Sequence, residues 1–214
     1  MRTTMTLLLA VLLSLGFAVT SFADITNSAH NLTTIAGTGT DEICIYCHTP
    51  HNSTNANGVP LWSMTVSAGP TGYAPYSSST FDAESTLTTD TLVGPSRVCM
   101  TCHDGTIAMN SAVVGYSAVT MENAFSGSSA ILGTDLSNDH PIGFDYTVSA
   151  ANDLEIRAVG SPLGATGSTI EDALFQDTTM TCASCHEVHE PGSSGYFLLQ
   201  ENTTSELCLA CHDK

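Results

Sequence analysis

The 214-residue sequence predicts a mostly irregular chain, with short helices and a minor strand, wrapped around covalently bound prosthetic groups rather than built from layered elements. Three observations predict it. The eight cysteines fall in four pairs of one form: CIYCH (Cys44, Cys47, His48), CMTCH (Cys99, Cys102, His103), CASCH (Cys182, Cys185, His186) and CLACH (Cys208, Cys211, His212). Between them the chain is rich in Gly, Ser, Thr and Asn, as in "GTGTD", "HNSTNANG" and "GSSGY". Sustained hydrophobic periodicity is scarce, so neither long amphipathic helices nor a broad sheet can supply the core.

In Cys-x-x-Cys-His the two thiols add across the two vinyl groups of a haem, and the adjacent histidine becomes the proximal ligand of its iron. Four such motifs consume every cysteine, which points to four covalently bound haem c groups. The expected fold class is therefore a multihaem cytochrome c, its chain wrapped around closely packed haems. Each macrocycle is a large apolar disc, so the haems double as core and the apoprotein is not expected to fold. Two zinc sites or four disulfides would also use eight cysteines but leave the four identically placed histidines without a role, and iron-sulfur ligation needs thiolate spacings that these widely separated pairs do not give.

Met1 and Arg2 precede an apolar run from Leu7 to Val19 that ends at Ser21-Phe22-Ala23, the pattern of a secretory signal over residues 1–23. The run is too short to span a bilayer, and no cysteine follows it before Cys44, so a released protein with no membrane span is expected. Residues 24–214 then form a single domain, with an N-terminal arm at 24–43 and no long charged or proline-rich linker. With Arg2 gone, Arg97, Arg157 and Lys214 stand against 21 carboxylates, a net charge of −18. Such a surface repels nucleic acid and anionic membranes.

Few elements can be placed. Ser96 is expected to cap a helix carrying "RVCMTCHDG", and "HPIGFDYTVS" alternates enough to read as a strand. "TIEDALFQD" reads as a short helix, and Thr203 with Glu206 as a capping box leading into "LCLACH". Met64, Met100, Met109, Met121 and Met180 read as packing residues rather than iron ligands.

Subtracting the proximal histidines leaves His30, His51, His140 and His189, one candidate distal ligand for each of four irons. "CHTPH" and "CHEVH" place His51 and His189 at the same offset after a proximal histidine. Residues three apart are separated by at most roughly 10 Å of chain, too little to reach around a haem plane. His51 therefore cannot complete the haem of Cys44 and Cys47, nor His189 that of Cys182 and Cys185. As ligands, each serves a neighbouring haem and holds two haems close together.

The segments "AHNL", "ICIYCHTPHN", "PLWSM", "CMTCHDGTIAM", "GTDLSNDHPIGF", "CASCHEVHE" and "LCLACHDK" resemble those of exported tetrahaem c-type cytochromes of metal-reducing bacteria, the OmcE-type family that polymerises into extracellular filaments. The resemblance runs from His30 to Lys214. It implies a continuous chain of bis-histidine haems through a filament, in alternating parallel and T-shaped pairs. It also implies one distal histidine donated by the adjacent protomer, and His30 is the residue matching that ligand.

The expected function is electron transfer without bond-making chemistry, so not an enzyme. The expected place is outside the cell, in a polymer of copies of this chain that passes electrons to redox partner proteins or extracellular acceptors. A monomeric periplasmic shuttle shares every haem argument and differs only in assembly. A multihaem reductase or oxidase would require one iron with an open position, with His30 as a bystander.

Overall fold

The computed structural model describes residues 25–34, 41–56, 59–64, 66, 72–87, 92–105, 130–164, 167–190 and 196–214. The signal over 1–23, Met109 and Met121 lie outside them. Secondary structure is sparse, as expected of this composition. A two-stranded antiparallel hairpin joins β1 (Thr54–Ala56) to β2 (Val59–Trp62), with Thr54 opposite Trp62 and Ala56 opposite Val59 across a bulge. Among the described residues four short helices follow: α1 (Pro95–His103), α2 (Tyr146–Asn152), α3 (Ile170–Ala173) and α4 (Glu206–Cys211). Among the described residues no helix is long and apolar enough to cross a membrane.

Several local expectations are corrected. Helix α1 starts with Pro95 in its first turn, after Gly94 at φ 51°, so proline's fixed φ sets the entry. Ser96 does not cap it; its Oγ accepts from the Cys182 amide at 3.0 Å and ties the second motif to the third. "HPIGFDYTVS" is not a strand, because the Asp145 carboxylate accepts from the Thr147 amide at 2.9 Å and starts helix α2 inside it. The residue before α4 is Ser205, in the left-handed region, rather than Thr203. There Glu206 accepts from the backbone and side chain of Thr204 instead. The "TIEDALFQD" helix does form as α3, with Asp172 reaching back to the Thr169 amide at 2.7 Å.

The core is divided into small clusters that meet at the cysteine motifs. The largest gathers Phe144, Tyr146, Leu163, Ile170, Leu174 and Met180, and Cys211 packs against it. A second, Trp62, Met64 and Val98, has Cys47 and Cys102 against it. A third joins Tyr73, Leu92, Met100 and Leu136. Met64, Met100 and Met180 are thus buried packing residues. An apolar cavity lined by Leu163, Ile170, Met180, Leu207, Cys185 and Cys211 opens between the third and fourth motifs.

Candidate haem centres

Each motif sits on a tight helical turn: Ile43–Tyr46, α1, Cys182–Ser184 and α4. The turn explains the spacing. Residues three apart lie on one face, which puts both cysteines on one side with the histidine at its end. The His48, His186 and His212 amides close these turns on the carbonyls of Cys44, Cys182 and Cys208 at 2.8, 3.1 and 2.9 Å.

The motifs adjoin in chain order. Cys47 of the first and Cys102 of the second share one apolar cluster. The Cys99 thiol of the second hydrogen-bonds Cys182 of the third, which raises Cys99 and lowers Cys182. Cys185 of the third lines one cavity with Cys211 of the fourth. Burial, then the neighbouring Cys44, pushes Cys47 up to about 11. Burial raises Cys102 to about 12, helped by Cys47 and Asp104, and Cys185 to about 11, helped by Cys211. Cys47, Cys102 and Cys185 thus hold sulfur in its neutral form, the form a thioether keeps at every pH, whereas Cys182 does not share that shift.

The histidines carry the test of fit. Two imidazoles on opposite sides of one metal, each bound through Nε2 at roughly 2 Å, place their ring centres roughly 6 to 6.5 Å apart. His30 and His103 stand 6.1 Å apart, His48 and His189 6.2 Å, and His140 and His212 6.4 Å. In each pair a proximal histidine of one motif meets a histidine outside the motifs. His189 faces His48 of the first motif, not His186 of its own. His51 is exposed, and no ring contact at this spacing joins it to His186 among the described residues.

A ligating imidazole normally donates its Nδ1–H to an acceptor, which leaves Nε2 unprotonated for metal. Here Nδ1 of His48 lies 3.0 Å from the Pro60 carbonyl, that of His103 2.7 Å from Ala130, and that of His186 2.9 Å from Tyr196. Nδ1 of His140 lies 3.0 Å from the Pro141 carbonyl, and that of His189 2.9 Å from the Glu187 carboxylate. Burial, then the charges of His103 and His186, lowers His30 to about 4, so its ring is neutral at pH 7 and able to ligate. The Trp62 indole N–H, buried beside His48, has no partner among the described residues. The donor set fits haem. Bound haem iron supplies a one-electron couple; the residues hold, orient and shield it.

The first and third motifs are built alike, although the intervening sequences differ. The amides of Thr49 and Ser63 bond the carbonyls of Leu61 and Cys47. At the third motif, those of Glu187 and Leu199 bond Phe197 and Cys185 in the same pattern. Leu61 and Phe197 both adopt positive φ, 56° and 59°, which turns the preceding carbonyl toward the proximal ring. The sequence carries no signal for these acceptors, because any residue has a carbonyl. Phe197 also stacks on His30 at 4.5 Å, a contact the sequence does not suggest. Among the described residues no cluster of three or more His, Cys, Asp or Glu side chains is placed to hold a bare metal ion.

Paired motifs and facing imidazoles indicate a multihaem c-type cytochrome-like protein. Residues 174–214, which include the third and fourth motifs, match the family described as doubled CXXCH motif, and that match implies covalently bound haem c. No curated protein matches the chain.

Proposed function

We propose that this protein carries electrons through four bis-histidine haems c, outside the cell, as the subunit of a filament of its own copies. The observation that carries the reading is the set of three imidazole pairs at one axial-ligand separation, on motifs that adjoin in chain order. Electrons move by hopping between close haems, so a series without gaps conducts along its length. With both axial positions of every iron filled, no site is left for substrate, and the protein is not an enzyme.

The junction between subunits falls to His51. His30, the residue the family resemblance selects for that role, has His103 opposite it in its own chain. His51 and His186 are the two histidines left over, one a distal candidate and the other a proximal one. We assign His51 as the sixth ligand of the iron held at His186 of a second copy. A head-to-tail contact of this kind that does not close into a ring generates a helical filament.

Cryo-electron microscopy of the secreted haem-containing material tests the whole reading. Filaments with His51 on the iron of the next subunit are the expected result. His30 in that position would overturn the ligand assignment. Discrete particles would mean a soluble shuttle, and an empty position opposite His186 within an assembled filament would favour a reductase.

A further inference from the structure

The matched first and third motifs differ at a position that touches a ring. Two residues before the spare histidine stands Thr49 in one and Glu187 in the other. The Thr49 hydroxyl donates to the His51 carbonyl at 2.9 Å and leaves that ring alone. Oε1 of Glu187 accepts from Nδ1 of His189 at 2.9 Å and from the His189 amide at 3.0 Å. Its backbone is fixed as well, by the Glu187 amide on the Phe197 carbonyl at 2.7 Å. The proximal rings of His48, His103 and His186, and the spare His140, each turn Nδ1 to a neutral main-chain carbonyl.

We infer that Glu187 is a positioning residue that makes the haem shared by His48 and His189 the lowest-potential haem of the chain. This rests on the ligand reading above. A full negative charge on the Nδ1–H draws its proton outward and makes Nε2 a stronger donor. The stronger donor stabilises ferric over ferrous iron, and the carboxylate's own field opposes the incoming electron. The step would be the passage of one electron from a reduced redox partner protein, which is oxidised, to ferric iron held at His48 and His189, with no bond made or broken. Electrons arriving at this haem then pass on to neighbours of higher potential.

The test uses the holoprotein. The His48 and His189 rings lie 17° from coplanar, against 63° for His30 with His103 and 75° for His140 with His212. Near-parallel axial imidazoles give a rhombic low-spin ferric resonance, and steeply crossed ones a strongly axial resonance, so the haems are distinguishable by electron paramagnetic resonance during a redox titration. H189A identifies the resonance to follow, because that variant loses it to a high-spin species. In the wild type this resonance is expected to be the last to vanish on reduction. In E187Q, and in E187T with the residue of the matched motif, its ferric-to-ferrous ratio at fixed potential falls roughly tenfold. That fall is an upward shift of about 59 mV for one electron. The resonance titrating at the wild-type potential in both variants would overturn the inference. A rhombic intensity that H189A leaves undiminished would overturn the ligand reading beneath it, an outcome separable from the first.

Discussion

Replacing His30 with alanine separates ligation within one chain from ligation between chains. The ring stands 6.1 Å from His103, stacks on Phe197 at 4.5 Å and is kept neutral by burial. If His30 completes the His103 iron of its own chain, H30A removes the sixth ligand from one of the four proposed irons. The low-spin intensity then falls by an amount equal to about one quarter of the total haem and a high-spin signal of matching size appears, both unaffected by dilution because no second copy is involved. The lost aromatic contact costs about 0.5–1.5 kcal/mol, too little by itself to unfold a domain. Absorption and electron paramagnetic resonance at equal haem content, on dispersed and on assembled protein, make the measurement. H51A serves as the counterpart, losing low-spin intensity only where copies have assembled. An H30A protein with full low-spin intensity would refute the pairing. A loss confined to assembled material would return His30 to the junction.

H140A is expected to turn the His212 iron high-spin, and added imidazole to restore it, since the two rings stand 6.4 Å apart with one iron's space between them; a spectrum unchanged by imidazole would argue against that vacancy. G94A is expected to destabilise the holoprotein by about 1–3 kcal/mol in denaturant titration, because Gly94 adopts φ +51° and a Cβ there would meet the Phe175 ring at 2.8 Å. A chain whose eight cysteines are replaced by alanine is expected to lack cooperative unfolding by circular dichroism, because its apolar clusters are small and three of the four motifs contribute a cysteine packed against one of them. A sharp thermal transition in that chain would show that the clusters suffice.

Much of the chemistry was legible from the chain alone. Covalent haem attachment depends on residues five positions long, and a local motif is read without knowing the fold. The exclusion of His189 from its own motif's haem needed only the reach of three residues, and the structure places it opposite His48. Packing methionines and the α3 turn were also visible, because burial and capping there use local signals. Where several local signals competed, the reading failed. The alternation of "HPIGFDYTVS" suggested a strand, yet the Asp145 cap started a helix in it. Ser96 looked like a cap but was taken by the amide of Cys182, 86 residues away.

The sequence by itself showed which cysteines and histidines have the form of haem-attachment motifs, because that property belongs to side-chain types at fixed spacing. Only the tertiary structure decided which imidazole faces which. That choice depends on bringing His48 to His189 and His140 to His212 across long stretches of chain, and on carbonyls of Pro60, Ala130 and Tyr196 that no side chain announces. It also decided that one imidazole leans on a carboxylate while its neighbours lean on carbonyls. The physical reason is that pairing and second-partner hydrogen bonds are set by where the backbone passes, and irregular chain of this kind follows no periodic rule from which that path could be read.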